Sequence, residues 1–223
     1  RKVHRIKTAL SRLKKQEKIL EENPSNQPND MDIAVVEAHF EVAEILRNSL
    51  NSPEAAITRY KKILKEYPYS SVTPEAGWRI GYVYDKVLNL KNEAIDAYKY
   101  VVESYPTSNF AAESLFRIGR IYEEKGKCAK ALEAFEDLIQ QWPDFWKLPA
   151  VFYWKGICLE KMEEYAKAVD AYKIFLIIYL PQTDQARLGD IGKYKQDKLK
   201  IEIEIENKRS EEHTSELQSP LCI

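Results

Sequence analysis

Gly81, Gly119 and Gly156 stand 38 and 37 residues apart, and each is followed by the same succession of small, aromatic and proline residues. After Gly119 come Tyr122, Ala131, Phe135, Leu138 and Pro143; after Gly81 come Tyr84, Ala94, Tyr98, Val101 and Pro106; after Gly156 come Ala168, Tyr172, Phe175 and Pro181. An earlier copy reads Ala43, Ala56, Tyr60, Ile63 and Pro68, with alanine in the glycine place. Self-similarity at a fixed period of this size belongs to stacked supersecondary units, each covering its neighbour's apolar face.

Every landmark has a packing reason. The small residue midway along a first helix lets a second helix approach, the alanine does so from the facing side, and the aromatic fills the remaining space. The proline cannot donate an i to i−4 hydrogen bond and pushes the residue before it out of helical geometry, so it ends the second helix. A helix-turn-helix with this landmark order resembles the tetratricopeptide repeat. The resemblance covers 32–181 as four units, at about 32–68, 74–106, 111–143 and 149–181. It implies an all-α, right-handed superhelical solenoid of stacked antiparallel helix pairs, with Ala43, Ala56, Gly81, Ala94, Gly119, Ala131, Gly156 and Ala168 as repeat-packing residues.

Outside the repeats, 1–22 has helical periodicity and a basic bias, eight Lys or Arg against three Glu, or +5, where the whole 223-residue chain carries −1. Contact with nucleic acid or anionic lipid is one reading. The preferred one is a helix whose Ile6, Ala9, Leu13 and Leu20 pack against the first repeat, the end of an upstream repeat being one origin for it. Residues 23–31 are a polar, proline-containing linker. Ser52-Pro53 and Thr73-Pro74 predict helix starts with a capping hydroxyl before a proline, and the linkers after Pro68, Pro106 and Pro143 each offer an Asp, Ser or Thr for that purpose.

Beyond Pro181, Ala186, Leu188, Ile191 and Tyr194 suggest a capping or truncated helix within 182–208, and Ile201 to Glu206 alternates with a strand-like period of two. Residues 209–219 back-translate to a common short-read library adapter, so 209–223 is read as a sequencing artefact and a disordered tail, and His213 and Cys222 are kept out of any site.

Catalytic and cofactor motifs are missing from the sequence. No GxxxxGK[ST] or GxGxxG occurs, and His4 and His39 have no HExxH or nucleophile motif around them. The cysteines, Cys128, Cys158 and Cys222, show no CxxC spacing; Cys128 is expected in an inter-helix turn and Cys158 in a helix core, both as free thiols, which lean toward a reducing compartment. The longest apolar run, Ile174 to Leu180, is far short of the roughly 20 residues a membrane span requires. Neither cofactor nor metal is expected, and no enzymatic role; nucleic acid is not an expected partner.

In tetratricopeptide arrays the first helices line a concave groove, with the residues three before and one after the small-residue place pointing inward. Carried over, these are Phe40 and Glu44, Trp78 and Tyr82, Phe116 and Arg120, and Tyr153 and Ile157. Aromatic and arginine side chains are enriched at binding hot spots, which implies a peptide or helix as partner. For Phe40, Trp78, Phe116 and Tyr153 a second reading stands beside this, packing against neighbouring helices, while Tyr82 and Arg120 are expected to be exposed. The carboxylate clamp of co-chaperone repeats is mostly missing: Arg79 and Arg117 fill one clamp-like place, but the lysine and asparagine places do not match.

The phrases Tyr67-Pro-Tyr-Ser70 and Tyr105-Pro-Thr-Ser108 are similar to a bacterial subgroup that includes the outer-membrane β-barrel-assembly lipoprotein and the cell-division coordinator of the Tol-Pal system. The resemblance implies a scaffold in the periplasm or at the outer membrane, held there by an N-terminal lipid outside this sequence. A cytoplasmic adaptor, or the docking array of an enzyme whose catalytic domain lies outside this sequence, are the alternatives.

Overall fold

In the computed structural model, residues 2–22 and 30–179 are described, and they are helical apart from the turns. The helices are α1 (Lys2–Glu22), α2 (Asp30–Ser49), α3 (Pro53–Glu66), α4 (Thr73–Tyr82), α5 (Lys91–Ser104), α6 (Asn109–Glu124), α7 (Cys128–Gln141), α8 (Leu148–Lys161) and α9 (Tyr165–Tyr179), with a π-helical turn, Val83–Val87, continuing α4. The chain is all-α and made of consecutive helix pairs: α2 with α3, α4 with α5, α6 with α7, and α8 with α9. It divides into two compact units, 1–118 and 119–223. The adapter-like segment, the 182–208 helix, the 201–206 alternation, Cys222, His213, and the side chains of Ile6 and Leu20 lie outside the described residues.

The glycine of each pair and the aromatic of its second helix form one contact. A β-carbon on Gly81 would lie 2.5 Å from the ring of Tyr98, and one on Gly156 would lie 2.5 Å from Tyr172; Gly119 meets Phe135 in the same way. The aromatic therefore stands on the bare helix backbone instead of filling leftover space, and any side chain at the glycine collides with a ring that has nowhere to go. Ala43, Ala56, Ala94, Ala131 and Ala168 are buried beside these contacts, as are the rings of Tyr60, Tyr98 and Phe135. Burying each such ring is worth about 1.5–3 kcal/mol.

In the first unit, Val36, Ala43, Ile57, Tyr60, Ile63, Ile80 and Val83 join α2, α3 and α4 into one core. Helix α1 covers the open side of α2, its Ala9 and Leu13 buried against Val35, Ala38 and Val42. An ionic seam runs alongside: Glu17 lies 3.0 Å from Lys62 of α3 and 3.3 Å from the fully buried His39 of α2. Burial, followed by the nearby Lys62 charge, holds His39 below the ordinary imidazole pKa. In the second unit Leu159, Ala168, Ala171 and Tyr172 form the core of the last pair, with Leu132, Tyr153 and Ile157 packed on it.

The difference between a 38-residue and a 37-residue repeat is located in the intra-pair turn. From the small residue to the facing alanine there are 13 residues in the first two repeats and 12 in the last two. Where the interval is 12, the first helix ends with a residue in the left-handed region, Gly126 (φ 68°) or Glu163 (φ 63°), and the N–H groups of Lys127 and Glu164 reach back five residues to Tyr122 and Leu159 at 2.9 Å. Where it is 13, the last turn is widened. Leu50 donates to Ile45 and Leu88 to Val83, Ser52 donates to Leu46 and Leu90 to Tyr84, and the left-handed residue comes one place later, at Asn51 or Asn89. A single extra residue is absorbed as a π-type turn.

The predicted caps are corrected in detail. Helix α3 does start at Pro53 after Ser52, but the Ser52 hydroxyl turns back to the Leu50 carbonyl and makes no cap bond. Thr73 is the first residue of α4, not its cap; its buried hydroxyl donates to the Tyr67 carbonyl at 2.5 Å and ties the new helix to the end of the old one. Asp144 caps nothing, since α8 starts at Leu148 after Lys147 with no side-chain cap. Ser108 alone behaves as expected, its hydroxyl accepting from the Phe110 N–H at 3.2 Å.

Candidate functional site

The first helices of successive repeats are laced together by arginines lying on aromatic rings. In the first unit the Arg79 guanidinium of α4 sits 5.9 Å from the Phe40 ring of α2 and 5.3 Å from its own neighbour Trp78, while Arg47 of α2 sits 5.7 Å from Tyr82 of α4. Trp78 stacks on Tyr82 (5.5 Å, 27°) and touches Phe110 of α6 at 6.0 Å. The result is a half-buried strip of rings and guanidinium groups running from α2 through α4 to the start of α6. Contacts of this kind are worth about 0.5–2 kcal/mol each and hold flexible arginines in one orientation.

Glu44 is the electrostatic anchor of this strip. Its carboxylate accepts from Arg47 at 2.6 Å, from Asn48 at 3.0 Å and from the Tyr60 hydroxyl, with Arg79 at 3.6 Å. Burial alone would raise its pKa; the hydrogen bonds from Arg47 and Tyr60 outweigh that and hold it below the usual carboxylate value. Among the described residues, the indole Nε1 of Trp78 and the Nε of Arg47 on this strip are buried without a hydrogen-bond partner, as are the hydroxyls of Tyr98 and Ser114. Burial raises the Tyr98 pKa, so its hydroxyl stays protonated and remains a donor at any physiological pH.

The second unit uses the same places differently. The Arg120 guanidinium of α6 lies over the ring of Trp154 of α8, 3.1 Å from the ring centre, and pairs with Glu123 at 2.5 Å. Lys161 of α8 reaches the other Glu123 oxygen at 2.6 Å, and that hydrogen bond leads the causes that raise the Lys161 pKa. Tyr153 packs edge-on against Trp154 (5.2 Å) and against Phe175 (5.6 Å) and Tyr172 (6.0 Å) of α9; Ile157 joins the same core.

The eight residues proposed for the groove therefore separate. Phe40, Trp78 and Tyr82 lie together on the α2–α4 strip, and Glu44 is there but bound by its arginines and Tyr60. Phe116 is buried, 7 % exposed, so its packing alternative is the one the structure adopts. Arg120 is not the exposed cation that was expected, because Trp154 and Glu123 hold it. Tyr153 and Ile157 are half-buried and pack on the core of the last pair, as Phe40 does on that of the first. Arg47 and Trp154 were not anticipated; Trp154 occupies the place two before the glycine that Arg79 and Arg117 also fill, so the repeat register itself carried the signal.

On the second-helix side each unit has an open groove. One of about 290 Å³ is lined by Leu64, Gly77, Ile80, Tyr84 and Tyr100, and one of about 420 Å³ by Leu132, Phe152, Leu159 and Ile174, with the Lys155–Glu136 pair (2.9 Å) at its edge. Among the described residues no helix is long and apolar enough to cross a membrane, and no cluster of His, Cys, Asp and Glu is arranged to hold a metal.

Comparison with known proteins agrees with this geometry. The crystal structure of BtubC from P. vanneervenii is similar over all of this chain and 94% of its own, at 13% identity and a TM-score of 0.64. A crystal structure of MamA protein matches 74% of this chain and 79% of its own at 23% identity and a TM-score of 0.51. YrrB, described as a TPR protein with an unusual peptide-binding site, matches 78% of this chain and 79% of its own at 18% identity and a TM-score of 0.51. No curated protein matches the sequence. The tetratricopeptide repeat model, however, matches residues 37–70, 75–108, 113–144 and 150–179, more than half of the chain. This chain belongs to the tetratricopeptide repeat family.

Proposed function

We propose that the protein is a non-enzymatic scaffold that binds a segment of another protein along the α2–α4 strip. The observation that carries this is the Trp78–Tyr82 stack with Arg47 and Arg79 on its rings. Pre-oriented aromatics and arginines lose little freedom on binding. The fold likeness to YrrB supports a peptide as the form of the ligand.

The test is partner capture by the immobilised full chain, with crosslinking to identify the bound segment. Trp78→Ala with Tyr82→Ala should weaken capture by roughly 30-fold or more, as loss of a hot-spot pair does. Tyr84→Ala with Tyr100→Ala, on the second-helix side, should leave it unchanged. Equal loss from both pairs contradicts the assigned face.

We place the scaffold in a bacterial cell-envelope assembly on the strength of the two Tyr-Pro-x-Ser junctions. Those junctions also have a purely local role, since Ser70 and Ser108 donate their N–H groups to the carbonyls of Tyr67 and Tyr105 and close the turn between repeats. Fractionation of cells expressing the tagged full-length gene decides the compartment: recovery with the membranes or periplasm supports the assignment, and recovery in the cytoplasm replaces it with the adaptor reading.

A further inference from the structure

Helix α1 has two faces of opposite character, and the first repeat uses only one of them. Ala9 and Leu13 are buried against Val35, Ala38 and Val42 of α2, so the apolar side of the helix is already covered. At about 100° per residue, Lys7, Lys14 and Lys18 fall within about 40° of one another on the opposite side, and all three are exposed. Ser11 lies between them, and the exposed His4 and Lys15 widen the stripe along one edge. From Lys7 to Lys18 it runs for about 16 Å. We propose that this stripe is a docking face for an anionic lipid surface, held there by charge alone.

The stripe is not neutralised by its surroundings. Among the described residues Lys7, Lys14 and Lys15 make no ion pair, and Lys18 meets only Glu22, at 3.6 Å with both side chains largely in water. Glu17 is turned away, 3.0 Å from Lys62 and 3.3 Å from His39, and Glu41 of α2 answers Arg12 on the flank at 3.7 Å. Charge complementarity therefore calls for a partner that brings negative charge, and the residue types choose which. Protein interfaces concentrate aromatic and arginine anchors and avoid lysine. Reading bases or stacking a single strand takes arginine, amide or aromatic groups. This face offers flexible ammonium groups with no arginine or large aromatic among them, and such hydrated point charges suit a fluid array of headgroups that demands no fixed geometry. Because the apolar side is closed against α2, the helix rests on the headgroups and does not insert, unlike an amphipathic helix that buries its apolar face in the bilayer. The face is separate from the α2–α4 strip and stands whether or not that strip binds a peptide.

The test is sedimentation of the full chain with phosphatidylcholine vesicles, with and without phosphatidylglycerol. Binding is expected only with the anionic lipid and should fall steeply as salt is raised. Lys7→Gln, Lys14→Gln and Lys18→Gln together should weaken it by on the order of 100-fold, at roughly fivefold per lysine. Lys65→Gln with Lys99→Gln and Lys127→Gln removes the same charge at exposed lysines elsewhere and should change it little. Lys7→Arg with Lys14→Arg and Lys18→Arg should keep it, because only charge is read. The three side chains stand in solvent, so the melting midpoint should not move in either variant, and a loss of binding reports the face and not the fold. The proposal is overturned if anionic vesicles fail to bind at low salt, if binding persists at high salt, or if the control triple loses as much. It is also overturned if duplex DNA binds through these lysines more tightly than the vesicles do at the same salt, which assigns the face to nucleic acid.

Discussion

The second and fourth repeats share one packing rule and make opposite use of their first helices. In both, the glycine backbone carries the ring of the second helix, Tyr98 on Gly81 and Tyr172 on Gly156. Yet the half-buried residues three before and one after the glycine stack on each other in one, Trp78 on Tyr82, and pack onto the second helix of their own pair in the other, Tyr153 against Phe175 with Ile157 on the Leu159 cluster. The repeat fixes where backbones meet, while the surplus side chains take whatever role their neighbours leave them.

The largest expected effect tests the shared rule. Gly119→Val or Gly81→Val drives a side chain into Phe135 or Tyr98 and should cost on the order of 1–3 kcal/mol, with hydrogen exchange faster in the second unit for the former and in the first for the latter. Unchanged denaturation midpoints would remove the glycine-on-ring contact as the rule. A smaller effect separates the rings themselves. Tyr60→Phe strips a hydrogen bond from the half-buried Glu44 and should cost about 1–2 kcal/mol, whereas Tyr98→Phe deletes a hydroxyl without a partner and should be neutral or slightly stabilising by urea titration.

The smallest effect concerns the turns. Glu163 is a non-glycine residue in the left-handed region where the third repeat has Gly126. Glu163→Gly should therefore raise the midpoint of the second unit by up to about 1 kcal/mol, and Gly126→Ala lower it by a similar amount. Equal and opposite shifts would show that the two turns are interchangeable; unequal ones would measure how far their surroundings differ.

The helix pairs, their period and their packing residues were legible because one steric requirement acts on every copy and leaves the same letters each time. Capping was less so. Ser52 and Thr73 satisfy the composition of a cap, but their hydroxyls find other carbonyls, a choice made by the local chain path. The candidate site was legible in part. Trp78 and Tyr82 follow from register, while the withdrawal of Arg120, Tyr153 and Ile157 depends on Trp154, Phe175 and Tyr172, whose approach no single repeat encodes. Cys128, expected in an inter-helix turn, is instead the first residue of α7, and both it and Cys158 are buried free thiols.

The one-residue difference between the repeats has an evolutionary reading. An insertion in most of a helix would rotate everything after it by about 100° and carry the apolar face into water. Here the extra residue of the first two repeats is taken up by a widened turn, and the next alanine still meets its partner. The turn is thus a neutral site for length variation. A lineage can add or remove one residue there without rewriting the core, and repeats of 37 and 38 residues can be duplicated side by side in one working array.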